Sequence, residues 1–532
     1  MDIYKIKDTL STKRFRDIFC GVLVLIVIVT QMFLYSTNGW NLVLNYFSVA
    51  NAISRVLFIA FLIRYIKCDN LALKAFFTYF LWYIISKILC GDTKLTGSLY
   101  GIYLHLFLFC LLYYSYMLDG KSRKEFFLAF SSLFCLFFFI IAIAMLYVAV
   151  SRTDVSLPLC IDVCIKTNDA IYVTLPVLNR NETAALLCMA FCLTLCIFAE
   201  NPNKWIKVCS LIIAFVLYAA LGLTRSRASM LGGALALTMA VILFFLERIN
   251  NRTTKIRVFI AGLLTIALIP FAYTAFNFTG YVANGINDYL TTEIVEEVQD
   301  NIEVQEAEEK NVDEEKEDTS TDTNQEKSNL AEQTSNNTMF VEKRSTKRIL
   351  GLSGRTSIWY VAARTLKNEP ERLKFGSLQY MDSINNQLRD MEGDRWKNRS
   401  MPNLHNSFFE VLIQSGVVGF FFFSVFVLIL FIRMIKVFFY ASADVYVKML
   451  TLPLTAAIIN NMAESELLWS SNVTNYIFFL VAGIFLSYSY ELFPEKKRWG
   501  RRKGKAQSAN DASSTAIDEA AAKQTLAEQV TL

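Results

Sequence analysis

The stretch FFLAFSSLFCLFFFIIAIAMLYVAV, residues 126–150, contains no charged side chain. A helix of about 20 apolar residues is long enough to cross the hydrocarbon core of a bilayer, so this stretch predicts a membrane span. The rest of the chain has the same character, because 54% of its 532 residues are hydrophobic and 43 of them are phenylalanine. This composition is typical of a protein that buries its apolar surface in lipid.

Apolar runs of span length recur along the chain and predict about twelve transmembrane helices. They lie near 18–36, 42–64, 71–90, 99–118, 126–150, 183–199, 206–223, 229–246, 257–277, 406–433, 446–463 and 473–491. The predicted fold class is therefore an all-α polytopic membrane protein. Helices 1–9 occupy residues 1–277, helices 10–12 occupy residues 406–491, and the polar tail 492–532 is predicted to be disordered.

The distribution of lysine and arginine predicts the orientation of these spans. Every second connection is basic, and cytoplasmic connections carry such an excess of positive charge. Examples are Lys121, Arg123 and Lys124, and Arg248, Arg252, Lys255 and Arg257. The alternation predicts that both chain ends are cytoplasmic. It also predicts that the long connection 278–405, between spans 9 and 10, is extracytoplasmic.

This long connection has two parts of opposite charge. Residues 292–338 are acidic and then polar, with too few apolar residues to order a core, so they are predicted to be disordered. Residues 341–405 are basic, and the apolar spacing after Arg355 predicts that this part is partly helical. A connection of this length is usually functional, which makes it the predicted working surface.

The predicted side of the membrane can be tested by cysteine labelling. We expect Asn336→Cys, in a chain whose native cysteines are replaced, to react with a membrane-impermeant maleimide in intact cells. Lys121→Cys, in a predicted cytoplasmic turn, should react only after permeabilisation. Protection of position 336 until the membrane is opened would contradict the predicted topology.

Several ionisable side chains fall at the predicted outer interface. His405 lies where the long connection meets span 10, and a histidine can take or give a proton near neutral pH. Its alternative role, capping the helix start, is one that Asn406 could also fill. Glu410 and Glu464 lie at or just below the same depth, and ionisable residues inside apolar runs are functional candidates by default.

Arginines come to the same interface from two other places in the chain. Arg225 and Arg227 lie on a tight turn between spans 7 and 8, where positive charge opposes the orientation rule. Arg355 follows a glycine-containing turn and begins a predicted helix. A guanidinium can bind phosphate oxygens through two parallel hydrogen bonds, a bidentate contact. Arginines that only contact lipid headgroups or solvent would give the same sequence pattern.

Motifs for cofactors are not evident. The sequence contains neither a P-loop nor a Rossmann glycine pattern, and His105 and His405 are too far apart for a zinc motif. We therefore expect no cofactor, no metal requirement and no nucleic-acid partner. An enzyme acting outside the cytoplasm has no nucleotide-sugar supply, so we expect its substrate to arrive already activated on a lipid diphosphate.

Four pieces of the sequence together resemble a known family, the O-antigen ligase and polysaccharide polymerase superfamily of bacterial envelopes. The pieces are Asn179–Leu187, Leu223–Arg227, Ser353–Trp359 and Leu404–Gly419. With the order of the spans, the resemblance covers roughly residues 180–490. The chain departs from the family pattern in its acidic insert and in a short approach to His405.

The resemblance implies a multi-pass protein of the bacterial cytoplasmic membrane with its catalytic face outside. The long connection would be a catalytic cap, and the donor a glycan on undecaprenyl diphosphate. Arg227 and Arg355 would bind the diphosphate, assisted by Arg225, and His405 would be the base. Asn406, Glu410 and Glu464 would support the site.

Alternative functions remain open at this point. The family does not separate polymerases from ligases, so the acceptor could be a glycan, a lipid or a protein. A transporter or a flippase for lipid-linked glycans would suit twelve spans, although such folds usually carry internal repeats and charges at the midplane. A membrane-embedded peptidoglycan polymerase is the third possibility.

Overall fold

The computed structural model describes most of the helical part of the chain. The described residues are 13–36, 41–89, 95–157, 161–167, 171–175, 178, 180–248, 256, 258–275, 278, 282, 286, 355–368, 370–376, 380–392, 404–464, 468 and 472–495. Residues 1–488 form one compact unit, and a second unit begins at Ser489. The predicted disordered segment 292–338 and residues 496–532 of the predicted disordered tail 492–532 lie outside the described residues.

Helices make up nearly all of the described structure. In chain order they are α1 Lys13–Ser36, α2 Asn41–Leu62, α3 Leu71–Leu89, α4 Leu95–Met117, α5 Gly120–Ser151, α6 Arg180–Glu200, α7 Lys204–Leu223, α8 Arg227–Arg248, α9 Val258–Ala275, α10 Arg355–Asn368, α11 Pro370–Phe375, α12 Tyr380–Glu392, α13 Ser407–Phe439, α14 Val445–Met449, α15 Thr451–Asn461 and α16 Val473–Leu492. Eleven of them are long and apolar enough to cross a membrane. The prediction of an all-α polytopic membrane protein is confirmed.

The predicted span 446–463 is the one that falls short of this length, because it is divided into α14 and α15. Pro453 has no N–H and cannot bond the carbonyl of Met449, four residues earlier, as a continuous helix requires. That carbonyl instead accepts a hydrogen bond from Cys196 Sγ, 3.3 Å away. The helix break is therefore stabilised by α6, which lies inside the bundle with 83% of its span buried.

A small antiparallel sheet departs from the all-helical pattern. Its strands are β1 Val155–Leu157, β2 Ile161–Thr167 and β3 Ile171–Thr174, in the order β1-β2-β3. Val155 pairs with Val163, and Cys164 pairs with Thr174. The alternation Ile161-Asp162-Val163-Cys164-Ile165 is the signal for a half-buried strand, and the sequence prediction did not use it. The sheet packs against α5.

The helices of the long connection form a cap on the first turns of α13. Buried apolar side chains of α10 and α12 share a core with Leu404 and with α13. Its members are Ile358, Val361, Ala362, Leu366, Ile384, Leu388, Leu404 and Ile413. This core explains why the segment after Arg355 is ordered, since its apolar face has a partner on the membrane helix.

Helix α13 is broken near its start, and the cap packs into the break. Gly416 has φ 69°, which a residue with a side chain rarely adopts, and a Cβ there would collide with the backbone of Lys374 in α11. The carbonyls freed by the break have donors from α3. Trp82 Nε1 donates to Ser415 O at 2.8 Å, and Lys87 Nζ donates to Gln414 O at 3.0 Å. Helix α3 therefore supports the bent start of α13.

Candidate active site

His405 lies in a tight turn immediately before α13. Its φ of 50° places it in the left-handed region. The next residue, Asn406, is the N-cap of α13, and its side-chain oxygen accepts from Phe408 N at 2.9 Å and Phe409 N at 3.0 Å. The cap and the turn hold the imidazole at the helix start, with 30% of the side chain exposed.

Glu464 joins His405 to Arg355. One carboxylate oxygen, Oε2, lies 2.9 Å from His405 Nδ1, and the other, Oε1, accepts from Arg355 Nη2. The carboxylate is 5% exposed and Arg355 is 16% exposed, so the ion pair is largely shielded from water. Charged groups removed from water need partners of this kind. The three side chains, from three separate segments, form one connected group.

The connection after α15 is bonded to the start of α13, and this fixes Glu464. Ser407 N donates to Glu464 O at 3.1 Å, and Ser407 Oγ donates to Asn461 Oδ1 at 2.7 Å. Asn406 Nδ2 donates to Met462 O at 2.9 Å. Glu464 therefore faces His405 because both backbone segments are held by hydrogen bonds that do not involve either functional side chain.

Arg355 is the first residue of α10, and a tryptophan of this helix contacts the turn before α13. Trp359 Nε1 donates to Leu404 O at 3.0 Å, and its ring stacks on Phe409 at a centroid distance of 6.1 Å. Leu404 directly precedes His405. The cap helix that carries Arg355 and the turn that carries His405 are therefore positioned by the same contact.

Glu410 is almost completely buried, with 1% exposure. Its Oε2 accepts from Leu404 N at 2.9 Å, and its Oε1 accepts from Gln414 Nε2 at 2.8 Å. Both oxygens are thus occupied by donors of the protein. These contacts support the turn before His405 from below, which is a positioning role.

The hairpin that carries Arg225 and Arg227 is connected to the same region through α15. Arg225 has φ 56°, and α8 begins at Arg227. Ser229 Oγ, in the first turn of α8, donates to Asn460 Oδ1 at 2.7 Å. Asn460 neighbours Asn461, which bonds Ser407. The two half-buried hairpin arginines therefore lie at the end of the bundle that carries the group of Arg355, His405 and Glu464.

The second histidine is a core residue. His105 is fully buried, with Nδ1 2.7 Å from Gly101 O and Nε2 3.0 Å from Tyr79 Oη. Its ring stacks on Tyr83 at 4.2 Å. Both ring nitrogens have partners, as expected for a structural histidine. Within the described ranges, no three His, Cys, Asp or Glu side chains come together as metal ligands would.

Comparison with known proteins finds a similarity for part of the chain. Residues 211–424 match the O-antigen ligase family. The match includes Arg225, Arg227, Arg355, His405 and Glu410, and it supports glycan transfer of the ligase or polymerase type. No curated protein and no solved structure matches the chain.

Some residues that shape the candidate active site were not singled out from the sequence. Asn460 and Asn461 carry the hydrogen bonds that join the hairpin, α15 and α13. A signal was present, because two adjacent amides interrupt an apolar run, and buried amides need hydrogen-bond partners. Their partners Ser229 and Ser407 gave no such signal, since isolated serines are common in membrane helices.

Proposed function

We propose that this protein transfers a glycan from undecaprenyl diphosphate to an acceptor hydroxyl or amine at the outer face of the bacterial cytoplasmic membrane. The observation that carries the proposal is the bridge by which one buried carboxylate, Glu464, contacts both His405 and Arg355. The bridge holds an imidazole and a guanidinium side by side, which supports assigning them the roles of proton acceptor and anion-binding group. Transfer from a diphosphate needs both groups, one for the attacking hydroxyl and one for the leaving group.

His405 acts as the general base. We assign the proton of the neutral ring to Nδ1, because that nitrogen lies 2.9 Å from the Glu464 carboxylate. The lone pair of Nε2 is then available to the acceptor. As the acceptor oxygen attacks the anomeric carbon, its proton passes to Nε2, and the bond from that carbon to the diphosphate oxygen breaks. Glu464 stabilises the imidazolium that forms, as the carboxylate does in Ser-His-Asp triads.

Arg355, Arg227 and Arg225 bind the diphosphate. The electron pair of the broken bond leaves with the diphosphate, and guanidinium groups aimed at its oxygens stabilise the charge that develops. Arg355 contributes from the cap, and the other two contribute from the hairpin between α7 and α8. No nucleotide is needed because the sugar is already attached to a good leaving group.

Replacement of the arginines tests the diphosphate role. Each charge-assisted hydrogen bond contributes about 1.5–3 kcal/mol, so Arg355→Ala and Arg227→Ala should each reduce glycan transfer by about tenfold or more. Lysine keeps the charge but loses the bidentate contact, so Arg355→Lys should restore little. The measurement is the transfer rate of purified variants against concentration of the lipid-linked donor.

Arg364 provides a matched control on the same cap helix. It is exposed, so Arg364→Ala should leave transfer near the wild-type rate. Full activity of the lysine variants at both Arg355 and Arg227 would refute the two-pronged contact. Equal losses at Arg364 and Arg355 would show that the effect comes from the cap helix as a whole.

A further inference from the structure

The second membrane helix contains a buried arginine that the proposed reaction does not use. Arg55 is the middle residue of the span Asn45–Tyr65, and only 6% of it is exposed. A charged side chain at this depth is costly, and such residues usually face a partner, a substrate path or water. Arg55 also lies outside residues 211–424, the segment that is similar to the O-antigen ligase family.

The described residues around Arg55 include no carboxylate that pairs with its guanidinium. Its Nη2 donates to Gln31 Oε1 at 2.5 Å, and its guanidinium lies 5.3 Å from the ring centroid of Phe107 and 5.1 Å from that of Tyr476. Among the described residues, none of the ion pairs includes Arg55, and its enclosed Nε donates to no acceptor. Ring faces attract a cation, but they do not replace an acceptor in the guanidinium plane.

The guanidinium lies in the same half of the bundle as the candidate active site. Gln31 is close to the C-terminal end of α1, in the span Lys13–Leu34, and Tyr476 is in the first turn of α16. Helix α16 follows the connection that carries Glu464. Side chains on a helix point back toward its N-terminus, which directs Arg55 to this same half.

Polar groups of α1 and α2 extend this environment. Asn51, one turn before Arg55, donates from Nδ2 to Thr30 Oγ1 at 2.7 Å and to Val27 O at 3.1 Å. Helix α2 lies at the rim of the bundle, since only 33% of its span is buried. Lipid at that rim therefore lies next to the helix that carries Arg55.

We propose that Arg55 is an oxyanion site for a lipid phosphate within the membrane domain. The phosphate of a phospholipid or of a polyprenyl phosphate would enter beside α2 from the half that contains Glu464. One of its oxygens would accept from Nε and another from a terminal nitrogen of the guanidinium. Such a two-pronged contact matches phosphate geometry and supplies the negative charge that Arg55 lacks. The site would hold an anionic lipid beside the catalytic half of the bundle.

Native mass spectrometry of the full-length protein in mild detergent tests this site. Separate titrations use phosphatidylglycerol, a polyprenyl phosphate, inorganic phosphate and diacylglycerol, the last of which has acyl chains but no phosphate. We expect Arg55→Gln to bind the phosphate lipids about tenfold or more weakly than the wild type does. Competition by inorganic phosphate would identify a site for the bare anion, whereas no competition would identify a site for lipid-borne phosphate only.

Arg64 offers a matched control on the same membrane segment. Its guanidinium also lies over two rings, 4.6 Å from Phe61 and 4.9 Å from Tyr65, but it is exposed. Arg64→Gln should bind the phosphate lipids as the wild type does. Equal affinity of Arg55→Gln and the wild type would overturn the proposal, and so would equal binding of diacylglycerol and phosphatidylglycerol by the wild type.

A measurement on the unmodified chain covers the case in which Arg55→Gln does not fold. A phospholipid with a photoreactive headgroup should crosslink to peptides that contain Gln31 or Tyr476, and excess phosphatidylglycerol should suppress this crosslink. Crosslinks confined to other parts of the chain would overturn the proposal. Crosslinks at these peptides would support it without any substitution.

Discussion

His405→Ala is expected to reduce glycan transfer by about 100- to 10,000-fold, the usual contribution of a positioned acid–base group. A sugar hydroxyl is a weak nucleophile, and its proton must leave as the new bond forms. His405 is suited to accept it because Glu464 lies 2.9 Å from the opposite ring nitrogen. Binding of the lipid-linked donor should persist, since the proposed diphosphate contacts come from the arginines.

His105→Ala is the control for a general effect of losing an imidazole. Both nitrogens of His105 are bonded inside the core, so this variant should lose thermal stability while the folded fraction keeps most of its turnover. The measurement is glycan transfer by purified variants, with unfolding temperature recorded for each. Turnover of His405→Ala close to that of the wild type would remove His405 as the base.

Glu464→Gln is expected to lower kcat by about 100-fold or more, by analogy with the loss seen when the carboxylate of a catalytic triad becomes an amide. The neutral amide can no longer stabilise an imidazolium, and its single oxygen cannot accept from both His405 and Arg355, because the NH2 group only donates. The KM for the donor should stay the same or fall, because Arg355 loses a competing carboxylate. Glu464→Asp keeps the charge and should recover part of kcat.

Glu247→Gln is the matched control for breaking a partly buried ion pair. Glu247 pairs with Lys448 and lies in the last turn of α8, whose other end begins at the arginine hairpin. This variant should change stability more than turnover. A Glu464→Gln variant that weakens donor binding but retains kcat would contradict the role of Glu464 in orienting His405.

The sequence allowed the membrane class to be predicted, and it predicted that the candidate site residues share one end of the bundle. Long apolar runs require helices in lipid, because every backbone polar group must be satisfied within the segment. Alternating charge then placed His405, Glu464 and Arg355 at one depth. The structure brings these three into contact, although they lie far apart along the chain.

Contacts that depend on three-dimensional packing could not be predicted. Glu410 and Glu464 were equivalent candidates from their depth alone. Only the fold shows that both oxygens of Glu410 accept hydrogen bonds below the turn, whereas Glu464 reaches His405. The bend at Gly416 depends on hydrogen-bond donors from α3, more than 300 positions earlier in the chain. No local sequence pattern predicts donors that lie so far away in the chain.

Other features had local signals that the prediction did not weigh. Pro453 marks the break between α14 and α15, and strict alternation marks β2. Arg55 is an ionisable residue inside an apolar run, which is itself a reason to expect a function. The prediction for these regions used the length of the apolar runs and gave no weight to the single proline, the alternation or the arginine within them.

A reaction with purified components tests glycan transfer most directly. Full-length protein in liposomes receives a glycan on undecaprenyl diphosphate and an acceptor, with no nucleotide, and both the released undecaprenyl diphosphate and the glycosylated acceptor are measured. We expect equal molar amounts of the two products from the wild type and neither product from His405→Ala. Movement of the intact lipid-linked glycan across the bilayer, without release of undecaprenyl diphosphate, would contradict glycan transfer and indicate a flippase.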